Sequence, residues 1–467
     1  MEKIFKRKFS LSMYKNLKFR MSEMSFSKDF ATDDKGDLYP ILEKSDDLKE
    51  EIKSNLYAVK KGSVKRFFSQ FFPYATYELT ADIKKGKAGF SFGIPQGKAE
   101  ILMGKNSVTF SCGDVSKKIP IESQRKHTLI VSCRPGAFDV YIKKNKPELI
   151  STFKTDTFKN SNDYKAFSSG FAALMVTGNI TVYEVLSYMD NGISIADMRT
   201  IRYENGDILT EQGKVFLSVS IRLEEEWYQG IVSWVPGTAE FELTGALFYD
   251  CGDGKWCNDV AASILYHRGE NKWYLWVCSF SHGHILAHSE FFGDPRFGVN
   301  IVDINLMDEV PTDSDVSVFA GISSDEDPDF FYEEETKKWY MAICRLDRTI
   351  NSYRYVFFES DCPFSGYKFI GKGYDGSETG GSFTRIDGEL CFVCGNGYDK
   401  KSNYRIYKKD GMKEAVFDYP DGGCRGWGTI IPVELGSRTR HFWLTFDRHN
   451  GSEYTWSYGN VYCFEAE

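Results

Sequence analysis

A single unit recurs five times in the second half of this sequence: a strand, a short polar turn, then an aromatic-rich strand. The copies are DILTEQGKVFLSVSIR (207–222), ASILYHRGENKWYLWVCSF (262–280), DFFYEEETKKWYMAICR (329–345), SFTRIDGELCFVCGN (382–396) and TIIPVELGSRTRHFWLTFDR (429–448). The aromatic that follows each turn is Phe216, Trp273, Trp339, Phe392 or Phe442, at intervals of 57, 66, 53 and 50 residues. Each interval is long enough for one four-stranded sheet. A lone sheet of that size cannot bury both its faces, so five in succession predict a ring of blades, a five-bladed β-propeller over 193–467. A second sandwich would not produce the same unit at near-constant spacing. Aromatic residues make up 16% of the 467-residue chain, with 41 Gly against 13 Pro, which agrees with many strands joined by glycine turns.

The first half reads as alternating strands joined by Gly, Lys and Asn turns: TYELTADI (76–83), GFSFGI (89–94), AEILMG (99–104), SVTFSCG (107–113), HTLIVSCRPGAFDVYIKKN (127–145) and ITVYEVLSY (180–188). This is an antiparallel sandwich pattern. The order of the runs is similar to a concanavalin-type jelly roll of the laminin-G-like and lectin kind, a resemblance that covers 51–192 and implies either a sugar-binding module or a brace. The fold class expected is therefore all-β: an N-terminal β-sandwich (jelly roll) followed by a five-bladed propeller. Residues 1–50 are expected to be a lead-in segment, mobile over roughly its first 25 residues, with Met21 or Met24 as alternative starts.

Lys and Arg total 58 and Asp and Glu 66, a net charge of −8, which argues against nucleic acid or an anionic membrane as partner. The basic N-terminus lacks the apolar run of a secretory signal, no segment approaches ~20 apolar residues, and a cytoplasmic location is the default expectation. The eleven cysteines lie mostly in apolar strand-like runs and read as reduced core residues. Cys391 and Cys394 form a CxxC, but three positions apart on a strand they face opposite ways.

The openings of the repeated units are acidic. KWCNDVAAS offers Asp259, SSDEDPDFF offers Asp325, Glu326, Asp327 and Asp329, and GSETGGSF offers Glu378. With these segments the chain resembles the five-bladed propeller glycoside hydrolases, the superfamily of arabinanases, β-xylosidases, invertases and levanases. The resemblance implies an Asp base or nucleophile, an Asp that orients and tunes, and a Glu proton donor; carried over by position these fall on Asp259, Asp327 and Glu378. The family places its first Asp in the first blade, whereas here a blade precedes Asp259. Either the register is permuted or the base is Asp207, Glu204 or Asp197. The physical logic is independent of the resemblance: glycosidic cleavage needs one protonated carboxyl and one ionised carboxylate, and crowding acids in one pocket supplies that asymmetry.

Polar and aromatic groups near the openings suit a sugar: Glu326, His282, Arg296, Arg345, Arg425, Trp427, Arg448 and Trp456 are the expected substrate contacts. Arg345 has an equally good structural use, pairing with acids to hold blades in register. A metal set of His282, His284 and Asp259 is weighed, but alternate positions on a strand do not by themselves make a tetrahedral site, so no metal and no cofactor is expected. GSETGG lacks the setting of a phosphate loop. The expected function is hydrolysis of a glycosidic bond, possibly a furanoside, in a small oligosaccharide, with inversion the preferred course. The alternative is a non-catalytic carbohydrate-binding protein. Nucleic acid and membrane are not expected as partners, and a homo-oligomer is compatible with the sequence.

Overall fold

A computed structural model describes residues 4–26, 31–32, 39–307, 325–374, 378–396, 404–417, 428–435, 438–446 and 459–466. Among them the one α-helix is Tyr164–Ser169, and no helix is long and apolar enough to cross a membrane. The chain divides into two compact units, Lys18–Asp190 and Met1–Leu17 with Asn191–Glu467. The boundary differs from the expected one at the N-terminus, where the first seventeen residues belong with the propeller.

In Lys18–Asp190 two long strands, Thr76–Ile94 and Phe171–Asp190, pair antiparallel from Tyr188 opposite Thr76 to Phe171 opposite Gly93. The first half of Thr76–Ile94 continues through Lys126–Arg134 into one sheet, and its second half through Gly97–Gly104 into another. The runs at 76–83 and 89–94 are thus one strand, bent rather than broken at KKGK. At the bend Gly86 (φ 104°) sits opposite Gly178 (φ 105°), and a Cβ on Gly86 would lie 1.8 Å from the Thr177 carbonyl oxygen, so only glycine fits. The two sheets face each other across aromatic rings: Phe92 stacks on Phe138 at 5.4 Å and Phe110 on Phe153 at 4.6 Å. That is a β-sandwich with an aromatic core.

The other unit is a ring of five blades. Their innermost strands are Ser194–Thr200, Val260–His267, Glu326–Glu333, Glu378–Ile386 and Thr429–Leu435. The second strands are Lys214–Arg222, Lys272–Ser279, Lys338–Asp347, Glu389–Asn396 and Arg438–Phe446, and they carry Phe216, Trp273, Trp339, Phe392 and Phe442, all buried. The repeated aromatic is therefore the residue that each blade packs inward. Separate apolar clusters fill the seams between blades one and two, two and three, three and four, and four and five. Trp276 of blade two stacks on Phe330 of blade three at 4.2 Å, and Trp234 of blade one meets Phe442 of blade five edge-on at 5.7 Å, which closes the ring. Cys391 and Cys394 fall in different clusters, one on each face of blade four, as strand alternation requires.

Blade five takes its outermost strand from the opposite end of the chain. Ile4–Ser12 pairs antiparallel with Asn460–Ala466 and, at Ile4 and Phe5, parallel with blade four. This corrects the mobile lead-in. IFKRKFSLS has three consecutive charges, Lys6, Arg7 and Lys8, that break its apolar pattern, and its partner lies far along the sequence, so nothing local marks it as a strand. The chain leaves this unit at Leu17 and returns at Asn191, whose side-chain oxygen accepts from the Leu17 N–H at 2.8 Å.

At the centre a buried network ties the blades. The Asp329 carboxylate accepts from Arg202 at 3.1 Å, from the Ser263 hydroxyl at 2.6 Å and from the Phe383 N–H at 2.6 Å. Arg202 follows the inner strand of blade one, and its guanidinium also donates to the carbonyls of Phe330 and Phe383. One acid thus joins blades two, three and four to the segment that follows the inner strand of blade one. Asp329→Ala leaves Arg202 buried and without its counter-charge, and should lower stability by about 3–5 kcal/mol. Denaturant unfolding checks this, with Asp361→Ala at an exposed site expected to leave the midpoint unchanged.

Candidate active site

The inner strands of the first four blades share a bulge. The pairing register slips between Ala196 and Arg199, Val260 and Ser263, Glu326 and Asp329, and Thr379 and Ser382. In each bulge one residue takes a left-handed backbone: Asp197 (φ 50°), Ala261 (64°), Asp327 (46°) and Gly380 (61°). Asp tolerates this conformation better than most side chains, and Gly has no side chain to clash. The kink turns the bulged residue, the one before it, or both towards the axis, where Asp197, Val260, Ala261, Glu326, Asp327 and Thr379 line a cavity of about 300 Å³. Arg222, Trp227, Phe280 and His284 complete the wall. Clefts of about 670 and 700 Å³ exist nearer the rim and base, but this smaller one draws on the inner strands of four blades and holds the convergent acids.

Asp197 is nearly buried, with Arg222 Nη2 at 3.5 Å from its carboxylate. Burial first, then the charge of Asp327, push its carboxyl above the ordinary range, against the pull of Arg222. Asp327 accepts from the Thr379 hydroxyl at 2.6 Å and the Gly380 N–H at 3.1 Å, and its other oxygen lies 3.8 Å from Arg199 Nη2. Arg199 is buried; its Nε donates to the Gly381 carbonyl, while both terminal nitrogens have no hydrogen-bond partner among the described residues. Glu326 forms an ion pair with His284 at 3.2 Å, which raises the histidine's affinity for its proton despite partial burial. Trp227 offers a half-buried ring beside the Arg222 guanidinium, 5.6 Å from its centroid.

The expected trio is not assembled. Asp259 and Glu378 stand two residues before the bulged position, and there the side chain turns into the blade. Asp259 accepts from Ser279 and Ser281 hydroxyls, at 2.7 and 2.9 Å. Glu378 is fully buried, paired with Arg405 at 2.7 Å, bonded to the Tyr407 hydroxyl and accepting from the Tyr355 N–H at 3.1 Å. Burial lifts its carboxyl above the usual range even though Tyr407, Arg405 and Tyr355 all oppose the shift. Of the four acids offered by SSDEDPDFF, Asp325 makes the same turn and forms a bidentate buried pair with Arg345, so Arg345 has the structural use. Arg296 sits outside the cavity, held by Asp294 and Glu211 and covered by the rings of Phe216 and Trp273. His282 lies beside Asp259 rather than in the cavity, and His284 takes its place there. Asp327 and Glu326 are in the cavity as expected. Arg425, Trp427, Arg448 and Trp456 lie outside the described residues. Asp197, one of the alternatives for the base, had a legible signal: aligned on the inner strands, Ala-Asp-Met-Arg at 196–199 superposes on Glu-Asp-Pro-Asp at 326–329.

No protein-family model matches the chain, and no curated protein matches it. Among solved structures, the catalytic domain of a Coprinopsis cinerea GH62 α-L-arabinofuranosidase is similar at 12% identity over 59% of this chain and 91% of that one, with a TM-score of 0.39. A GH43 β-1,3-galactosidase with galactodeoxynojirimycin is similar at 10% identity over 58% and 94%, with a TM-score of 0.37. A Bacillus subtilis carbohydrate-binding module of family CBM66 matches at 15% identity over 32% and 94%, with a TM-score of 0.25.

Because Asp327 supplies part of the shift on Asp197, Asp327→Asn should lower the Asp197 pKa and keep that carboxyl ionised to lower pH. A carbon-13 titration of the Asp197 carboxyl in both proteins reads this directly; an unmoved curve would show that the two groups do not interact.

Proposed function

We propose that the propeller hydrolyses a glycosidic bond in a short oligosaccharide bound at its axial cavity. The observation that carries the reading is the meeting of three carboxyl groups, Asp197, Asp327 and Glu326, in one aromatic-walled cavity on the axis. Their environments differ, as acid–base chemistry at an anomeric carbon requires. Asp197, buried beside Asp327, holds its proton and delivers it to the leaving oxygen. The charge of Asp327 keeps that proton in place. Glu326, at the more open side against His284, acts on the anomeric carbon through water. Trp227 gives the flat apolar surface that a sugar's C–H face packs on, and Arg222 donates to its hydroxyls. A furanoside ring and an inverting course are the finer forms of the proposal; inversion calls for a carboxyl separation of roughly 6.5–9.5 Å, and the anomer first released, read by NMR, tests it.

The test is sugar release from a panel of nitrophenyl glycosides and short oligosaccharides. Asp197→Asn should lose about 10²–10⁴-fold in kcat with binding retained, the span expected for a general acid. Glu378→Gln should keep its turnover per folded molecule and lose stability on the order of 2 kcal/mol, since it weakens a buried charged hydrogen bond. Full activity in Asp197→Asn would overturn the assignment. Loss of activity in a folded Glu378→Gln would return the donor role to Glu378. Sugar binding with no turnover on any substrate would make the protein a carbohydrate-binding one.

A further inference from the structure

A second cluster of chemistry-bearing side chains stands apart from the three axial carboxyls. Donor atoms of Cys257, Asp259 and His282 all lie within 4.8 Å of one another, and the Cys251 sulfur is 3.6 Å from His282 Nδ1. These are two thiols, an imidazole and a carboxylate, the donor types that bind zinc-like divalent ions in four-coordinate sites. The geometry points to a transition-metal site at Cys251, Cys257, Asp259 and His282, built to hold a zinc-class dication. It is independent of the reading of the axial cavity.

The elements that carry these residues are well placed to present them. Cys251 follows the strand Phe241–Asp250, and Trp256–Cys257 pairs back on that strand with Cys257 opposite Tyr249, so the two thiols sit on the two arms of one hairpin. Gly252 (φ 79°) and Gly254 (φ 87°) make the reversal between them, and Asp250 and Asp253 fix it by accepting from the N–H groups of Gly252 and Lys255. His282 ends the short 3₁₀ turn Phe280–His282 of blade two. Its Nδ1 is 2.8 Å from the Ser279 hydroxyl, which donates to Asp259 at 2.7 Å and so accepts from the imidazole, leaving Nε2 as the nitrogen that would bind an ion. Asp259 and Cys257 are buried and His282 half-buried, leaving one side open for the ion to enter.

A tetrahedral ion with bonds of about 2.0–2.3 Å wants its donors about 3.3–3.8 Å apart, so closing on the metal asks for shifts on the order of an ångström. Binding releases one proton from each thiol to solvent, and the ion's two positive charges then face two thiolates and one carboxylate. The bond would pin a hairpin of blade one to the turn of blade two that also carries Phe280 and leads to His284, both on the axial wall. The role follows from that position: the ion would fix the loops at the mouth of the cavity, not enter it.

The experiment strips the full-length protein with a chelator under reducing conditions, then titrates it with cobalt(II) as a spectroscopic stand-in. The expected result is one equivalent bound per chain, with a thiolate-to-cobalt charge-transfer band and tetrahedral d–d bands that zinc bleaches. Cys257→Ser and His282→Gln should each weaken binding at least tenfold and remove those features, while Cys362→Ser, at an exposed thiol far along the chain, should change nothing. Zinc should also raise the Tm of the stripped parent. An octahedral spectrum without charge transfer, unchanged binding in Cys257→Ser, or a Cys251–Cys257 disulfide in the parent after thiol-specific labelling would overturn the proposal.

Discussion

The pair between Asp329 and Arg202 holds the centre of the propeller. Both groups are buried and charged, so water has been stripped from each and the loss is made good only by a full set of partners. That set comes from three blades and a linking segment: Arg202 from the segment after the inner strand of blade one, Ser263 from blade two, Asp329 from blade three and the Phe383 backbone from blade four. A shift of any one of these strands along its neighbour would leave a buried charge unmet. The register of the inner strands is fixed by that demand, and the bulges lie immediately beside it, with Asp329 and Ser263 at the residue where pairing resumes. The position of every acid in the axial cavity follows from this one arrangement.

The chemistry of the cavity is in turn a matter of two or three residues along a strand. Within one bulge, Asp325 points into the blade and meets Arg345, Glu326 and Asp327 point to the axis, and Asp329 points back to Arg202. Four acids in five positions have three different environments. The same alternation in blade four puts Thr379 at the axis and Glu378 against Arg405. Charge on a blade opening is therefore not a measure of charge in the cavity.

The five-fold repeat was legible because each blade needs an aromatic at the same depth, and a period of that kind survives large changes in the residues around it. Phe216, Trp273, Trp339, Phe392 and Phe442 all occupy the second strand of a blade. The sandwich was legible from alternation, although alternation cannot tell a bend at Gly86 from a turn. The site was read less well for a physical reason. A bulge adds a residue without any hydrophobic signature, so carrying the resemblance over by position picked Asp259 and Glu378, which stand two residues before the bulged one and turn into their blades. The cysteines near residue 250 illustrate a different limit. Cys251 and Cys257 looked like core residues because each adjoins apolar neighbours, and only the hairpin and the blade-two turn bring them to Asp259 and His282.

The strand Ile4–Ser12 completes the blade whose other strands end at Ala466, so it is made before the rest of the propeller and waits for Asn460–Ala466 before it finds its partner. Blades three and four each build four strands from neighbours in sequence and have what they need to form as they emerge. Closure does not. It is a contact of the longest range the chain offers, with the loop entropy that implies, and it comes after an entire independent unit has been inserted between its two halves. Until that contact is made, Asn460–Ala466 has an unpaired edge, the kind of surface that another chain can join. The assembly of this protein should therefore be most vulnerable to misassociation at its final step, when four blades are in place and the fifth is one strand short.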